Sequence, residues 1–90
     1  MNSSNPLPKR LKAARHKLGI SQQELGERIG LNTSAAGSRI NHYEKGRHEP
    51  NYQTLKLIAQ ALGVSTSYLY CDDDRLAALI EAYDSNSTLT

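Results

Sequence analysis

Apolar residues along the chain recur at intervals of three and four, and nowhere do they alternate with period two. Leu7, Leu11, Ala14 and Leu18 stand at i, i+4, i+7 and i+11, one stripe of a first helix whose other faces carry Lys9, Arg10, Lys12 and Lys17 before Gly19 ends it. Ser21-Gln22-Gln23-Glu24 has the form of a capping box, with Ser21 accepting from the first turn and Glu24 reaching back. Leu25 and Ile29 follow on one side of a short second helix that stops at Gly30. Beyond a turn closed by Pro50, Asn51 caps a helix with Leu55, Ile58, Ala59 and Leu62 on one face, and Gly63 ends it. Ser65 caps a short helix holding Tyr68 and Leu69. The acids at 72–74 suit the start of a last helix, where Leu76, Leu79, Ile80 and Tyr83 repeat the stripe. The pattern predicts an all-α fold with a flexible N-terminus at 1–6, a domain over 7–71, a C-terminal helix over 72–84 and a disordered tail at 85–90.

Ninety residues at 38% hydrophobic composition fit one small domain with a modest core and little room for an enclosed catalytic pocket. One cysteine excludes an internal disulfide, and no stretch has the length and apolarity of a signal peptide or membrane span. The expectation is a cytoplasmic protein, away from membranes. The net charge of +2 conceals an asymmetry, a net +5 over residues 1–50 followed by −3 over 51–90. A polyanion is therefore drawn to the N-terminal half. Five tyrosines without Phe or Trp supply a base-stacking sheet poorly, which favours contact with a duplex or its phosphates.

The order Gly19-Ile20-Ser21-Gln22-Gln23-Glu24-Leu25, then Ile40-Asn41-His42-Tyr43-Glu44-Lys45-Gly46, Pro50 and Ala61-Leu62-Gly63-Val64 resembles the Cro and phage-repressor class of helix-turn-helix domains, the XRE family. The resemblance covers about residues 7–71. It implies a compact five-helix lambda-repressor-like fold, here with an additional C-terminal helix, in which the helix containing Ile40 reads double-stranded DNA. The chain departs from the pattern in two places. Leu31 and Ile40 stand nine positions apart, roughly four more than usual in that class. Either the turn is longer or Asn32, Thr33 or Ser34 caps a recognition helix begun one turn early, adding about 6 Å at 1.5 Å per residue; the helix-tolerant Ala35, Ala36 and Ser38 favour the second, with Gly37 the one weak helix former. Gly26 stands where the family commonly has Ala, which permits close helix crossing at a cost of about 1 kcal/mol in helix propensity.

Site expectations follow from the resemblance. Ser34, Ala35, Gly37, Ser38, Arg39, Asn41 and His42 are candidates for base contact, small residues for close approach and thymine methyls, Arg for guanine and Asn for adenine. Gln22, Gln23, Thr33, Lys45, Arg47 and His48 are candidates for phosphate contact. Arg15 and Glu44 correspond to a structural ion pair between the first and third helices. One recognition helix covers too few base pairs for selectivity, so a homodimer on a two-fold operator is implied, with Tyr68, Tyr70, Leu76, Leu79, Ile80 and Tyr83 as interface candidates; folding of the last helix onto the chain's own core is equally open.

Catalysis is not expected. Cys71 belongs to a different helix from His42, Asp72–Asp74 lack the alternating ligands of a calcium loop, and neither zinc spacing nor a glycine-rich phosphate loop is present. No metal or cofactor is expected. The expected function is a transcriptional regulator, repressing by occupying a promoter; the alternative is a protein-interaction module of antitoxin type whose C-terminal segment binds a second protein.

Overall fold

A computed structural model describes residues 5–87. Six helices follow one another, α1 (Leu7–Leu18), α2 (Gln22–Arg28), α3 (Thr33–Glu44), α4 (Tyr52–Leu62), α5 (Thr66–Leu69) and α6 (Asp74–Ser87), with no strand among the described residues. Side-chain caps set where most of them begin. Ser21 Oγ accepts from Glu24 N at 2.9 Å, Asn51 Oδ1 from Thr54 N at 2.8 Å and Ser65 Oγ from Tyr68 N at 3.1 Å. The capping box at α2 is only half formed, because the Glu24 carboxylate accepts from Arg28 at 2.8 Å instead of reaching back. Asn5 Oδ1 accepts from Leu7 N at 2.9 Å, so the order begins within the segment expected to be flexible. α6 runs to Ser87, past the boundary expected at 84, and residues 88–90 and 1–4 lie outside the described residues.

The core gathers one side of every helix around Leu7, Leu11, Leu25, Ile40, Ile58 and Leu69. Each such side chain contributes about 1.5–3 kcal/mol on leaving water. Leu18, counted in the α1 stripe, is half exposed, because the chain turns at Gly19 (φ 78°) before α2 can cover it.

α2 and α3 cross at very close range. A Cβ placed on Gly26 would lie 2.6 Å from Ala36 Cβ and 2.6 Å from the Ala36 carbonyl oxygen. The missing side chain is therefore a condition of the crossing, and the crossing aims α3.

Arg10 was expected on a solvated face and is buried instead. Its Nε donates to the Cys71 carbonyl at 2.8 Å and its Nη2 to Asp74 Oδ1 at 2.9 Å, while the guanidinium lies 5.8 Å from the Tyr68 ring centroid. One α1 side chain thereby closes the orphan carbonyl after α5 and holds the start of α6. Lys9 joins the same carboxylate at 3.2 Å, and these two hydrogen bonds hold Asp74 below its ordinary carboxyl value. Further along, Lys17 meets Glu81 at 2.7 Å and Ser65 N donates to Asp84 at 2.9 Å, so α6 is tied to the domain along most of its length.

α6 packs through Ala77, which is buried, and through half-buried Ile80. Leu76, Leu79 and Tyr83 face solvent at 50, 68 and 71% exposure, and Tyr70 is exposed at 44%. Tyr68 differs from these interface candidates: it is a core residue at 5% exposure, its hydroxyl raised above its ordinary pKa chiefly by burial. The last helix thus folds onto the chain's own core and still leaves an apolar face uncovered.

Candidate nucleic-acid interface

The surplus residues before Ile40 are helix. Asn32 Oδ1 accepts from Ser34 N at 3.1 Å, and α3 runs unbroken from Thr33 to Glu44. Ala36, Ile40 and Tyr43 form its buried face. Ser34, Ser38, Asn41 and Lys45 recur at i, i+4, i+7 and i+11 on the outward side, continuing into the C-cap, with Ala35, Arg39 and His42 beside them. The base-contact candidates are therefore gathered on the accessible part of one helix, Gly37 excepted: it lies on the flank turned to α2.

That flank is held by glutamine amides. Gln23 Nε2 donates to the Thr33 carbonyl at 2.9 Å and to Glu27 Oε2 at 2.8 Å, and its Oε1 accepts from Gly37 N at 3.1 Å. Gln22 Nε2 donates to Glu44 Oε1 at 3.0 Å and to Asn41 Oδ1 at 3.2 Å. Both donor hydrogens of each amide are engaged within the protein. Gln23 binds the added turn of α3 and Gln22 its C-terminal half.

Arg15 Nε and Nη2 donate to the two oxygens of Glu44 at 2.6 and 3.0 Å, a forked pair, and Nη1 donates to the Ile20 carbonyl at 2.9 Å. Both side chains are nearly sealed, at 9 and 3% exposure. The pair joins α1 to α3 and closes the turn before α2.

Around it opens a polar cleft lined by Lys12, His16, Ser21, Gln22, Asn41 and Lys45 together with the ion pair. Lys12 and His16, exposed on α1, were not among the expected contacts. Their signal was their own spacing at i and i+4 on the side of α1 opposite the core. At the other edge of α3, Arg39, His42, Tyr43, His48 and Glu49 line a second cleft, where the His42 and His48 rings stand 5.2 Å apart. Arg39 and Arg47 are exposed, and their guanidinium groups have no protein partner among the described residues. Thr33 is exposed at the first turn of α3. The face is cationic and polar, and no cluster of three or more metal-ligating side chains occurs among the described residues.

Residues 9–72 match the family model of a helix-turn-helix domain. The chain belongs to the helix-turn-helix family. Within it, the likeness to regulators of the XRE and phage-repressor kind holds. The chain is 34% identical over 68 residues to the HTH-type transcriptional regulator ImmR of Bacillus subtilis, a match covering 76% of this chain and 50% of that protein. It is 36% identical over 64 residues to repressor protein C2 of Salmonella phage P22, covering 71% of this chain and 28% of the repressor. The structure of the transcriptional regulator BswR superposes with a TM-score of 0.85 at 46% identity, covering 88% of this chain and 78% of that one. The chain spans about half the length of ImmR. These helix-turn-helix relatives are named as regulators and not as enzymes. Among the described residues, no helix is long and apolar enough to cross a membrane.

Proposed function

We propose that this helix-turn-helix chain binds double-stranded DNA by laying the outward face of α3 in the major groove, and that it represses transcription as a two-fold dimer. The observation that carries the reading is the construction of α3. Its polar outward stripe is aimed by a side-chain-free crossing at Gly26 and by a sealed ion pair at Glu44, while unpartnered Arg39 and Arg47 remain at its edge. A helix held this firmly with an unoccupied polar face fits a duplex, whose phosphates take the cations and whose base edges take Ser38, Arg39, Asn41 and His42. Thr33, Lys45, Arg47, His48 and the newly noted Lys12 and His16 are the phosphate contacts in this reading.

Dimerisation is proposed through Leu76, Leu79 and Tyr83. Half-sites one helical turn, about 34 Å, apart need two copies of α3 at that spacing, and α6 offers the exposed apolar surface that an isologous contact requires.

The test is fluorescence anisotropy with duplex DNA from upstream of the protein's own gene and with an unrelated duplex, titrated across salt. Log affinity should fall with log salt by about 0.9 per neutralised phosphate, and Arg39→Ala should reduce the preference for the upstream duplex. Absence of binding at low salt would refute the reading.

A further inference from the structure

The side chains beneath α3 form a chain of hydrogen bonds with a fixed polarity. Arg15 has only donors, and both its bonds to Glu44 fix that residue as an acceptor. The atom of Gln22 that lies 3.0 Å from the Glu44 carboxylate must therefore be its nitrogen, since an amide oxygen there would face a charged oxygen. The same nitrogen lies 3.2 Å from Asn41, so Asn41 must turn its oxygen inward. Its Nδ2 has no protein partner among the described residues and stands on the outward stripe, between Ser38 and Lys45. Amide orientation, ordinarily ambiguous, is here set by a buried charge two links away.

We infer that Asn41 is a donor-only reader of DNA, that it recognises guanine rather than adenine, and that Gln22 is the positioning residue that imposes this choice. The inference rests on the proposal that α3 enters the major groove. Adenine is usually read by both ends of an amide, the oxygen accepting from N6 and the nitrogen donating to N7. With its oxygen held by Gln22, Asn41 presents two N–H donors, which match the paired acceptors O6 and N7 of guanine. This replaces the adenine contact that the residue type alone suggested.

The experiment is selection from a randomised duplex library by the full chain, wild type and variants, followed by anisotropy on the selected duplex and on its single-base substitutions. The wild type should select guanine at one position per half-site, favoured over adenine by about tenfold, and Asn41→Ala should erase that preference while leaving the others. Asn41→Asp turns an acceptor outward and should move the preference from guanine to cytosine, whose N4 donates. Gln22→Ala releases the Asn41 oxygen and should admit adenine beside guanine at that position alone. An Asn41-dependent preference for adenine, no Asn41-dependent position, or a Gln22→Ala variant that weakens every position equally would overturn the inference and leave the regulator reading intact. A wild-type chain that enriches no sequence, and binds no duplex at low salt, would overturn the regulator reading itself.

Discussion

Gly26 is a position where local propensity and tertiary packing give opposite signs. Alanine is the better helix former by about 1 kcal/mol, so α2 considered alone favours Gly26→Ala. At the crossing, however, the added Cβ would meet the Ala36 Cβ at 2.6 Å, its carbonyl oxygen at 2.6 Å and its carbonyl carbon at 2.8 Å. Carbon atoms in contact sit about 3.5–4.0 Å apart, so the helices would have to part by roughly 1 Å. Two of the three obstructing atoms are backbone, which no rotamer change can move. Overpacking of this kind costs about 1–3 kcal/mol, towards the upper end where backbone atoms obstruct, and after the gain in propensity a net loss of up to about 2 kcal/mol remains. For a domain of this size each kcal/mol shifts the melting midpoint by about 4–8 °C. Gly26→Ala should therefore melt measurably below the wild type in far-UV circular dichroism. Gly37→Ala is the control: its nearest obstacle, at 2.8 Å, is the far end of the flexible Gln23 side chain, and its next contacts lie at 3.6 Å. Gln23 can swing aside, its exposed hydrogen bonds can pass to water, and the gained propensity of about 1 kcal/mol offsets part of their loss, so Gly37→Ala should melt closer to the wild type than Gly26→Ala. A Gly26→Ala variant that melts at or above the wild type would refute the reasoning.

Three further outcomes are expected. Glu44→Ala leaves the sealed Arg15 charge unpaired and should cost about 3–5 kcal/mol in urea unfolding; a double-mutant cycle with Arg15→Ala should show strong coupling, and additive losses would remove the pair from its structural role. The Asp74 carboxyl is depressed in the folded state by hydrogen bonds from Lys9 and then Arg10, so its stabilisation is present above the ordinary value of 3.8 and is lost as pH falls through the lower folded value. Asp74→Asn should thus be less stable than the wild type at neutral pH, with the difference closing only in strong acid, and a difference independent of pH would contradict this. Leu79→Asp, placed on the exposed face of α6, should sediment as a monomer at concentrations where the wild type is paired; a dimeric variant would exclude that face.

Where local chemistry decides, the sequence was readable. Asn32, Ser65 and Asn51 cap the helices they precede, and Ala36, Ile40 and Tyr43 fall on one side of α3 because a helix repeats every three to four residues. The added turn of α3 could be argued from its tolerant side chains alone. What escaped was decided by partners distant in sequence. Arg10 meets Asp74 sixty-four residues later, so periodicity within α1 places it in solvent while the fold buries it. α6 presents an apolar stripe at Leu76, Leu79, Ile80 and Tyr83, yet packs through small Ala77 and the Ile80 edge of that stripe, a rotation that leaves Leu76, Leu79 and Tyr83 outside. The placement of the α2 glutamine amides against α3 escaped for the same reason: Gln22 meets Asn41 and Glu44, and Gln23 meets Thr33 and Gly37 in the added turn.

The two buried arginines of α1 have a mechanical consequence. Arg15 fixes the C-terminal end of α3, and Arg10 fixes the start of α6, five positions and about 7.5 Å apart along one helix axis. The surface proposed to meet DNA and the surface proposed to meet a second copy are thereby clamped to the same rod. In the proposed dimer, operator spacing would be a property of α1: one residue inserted between the two arginines would twist the clamps by about 100° relative to each other, retuning the distance between half-sites without altering a side chain proposed to read a base.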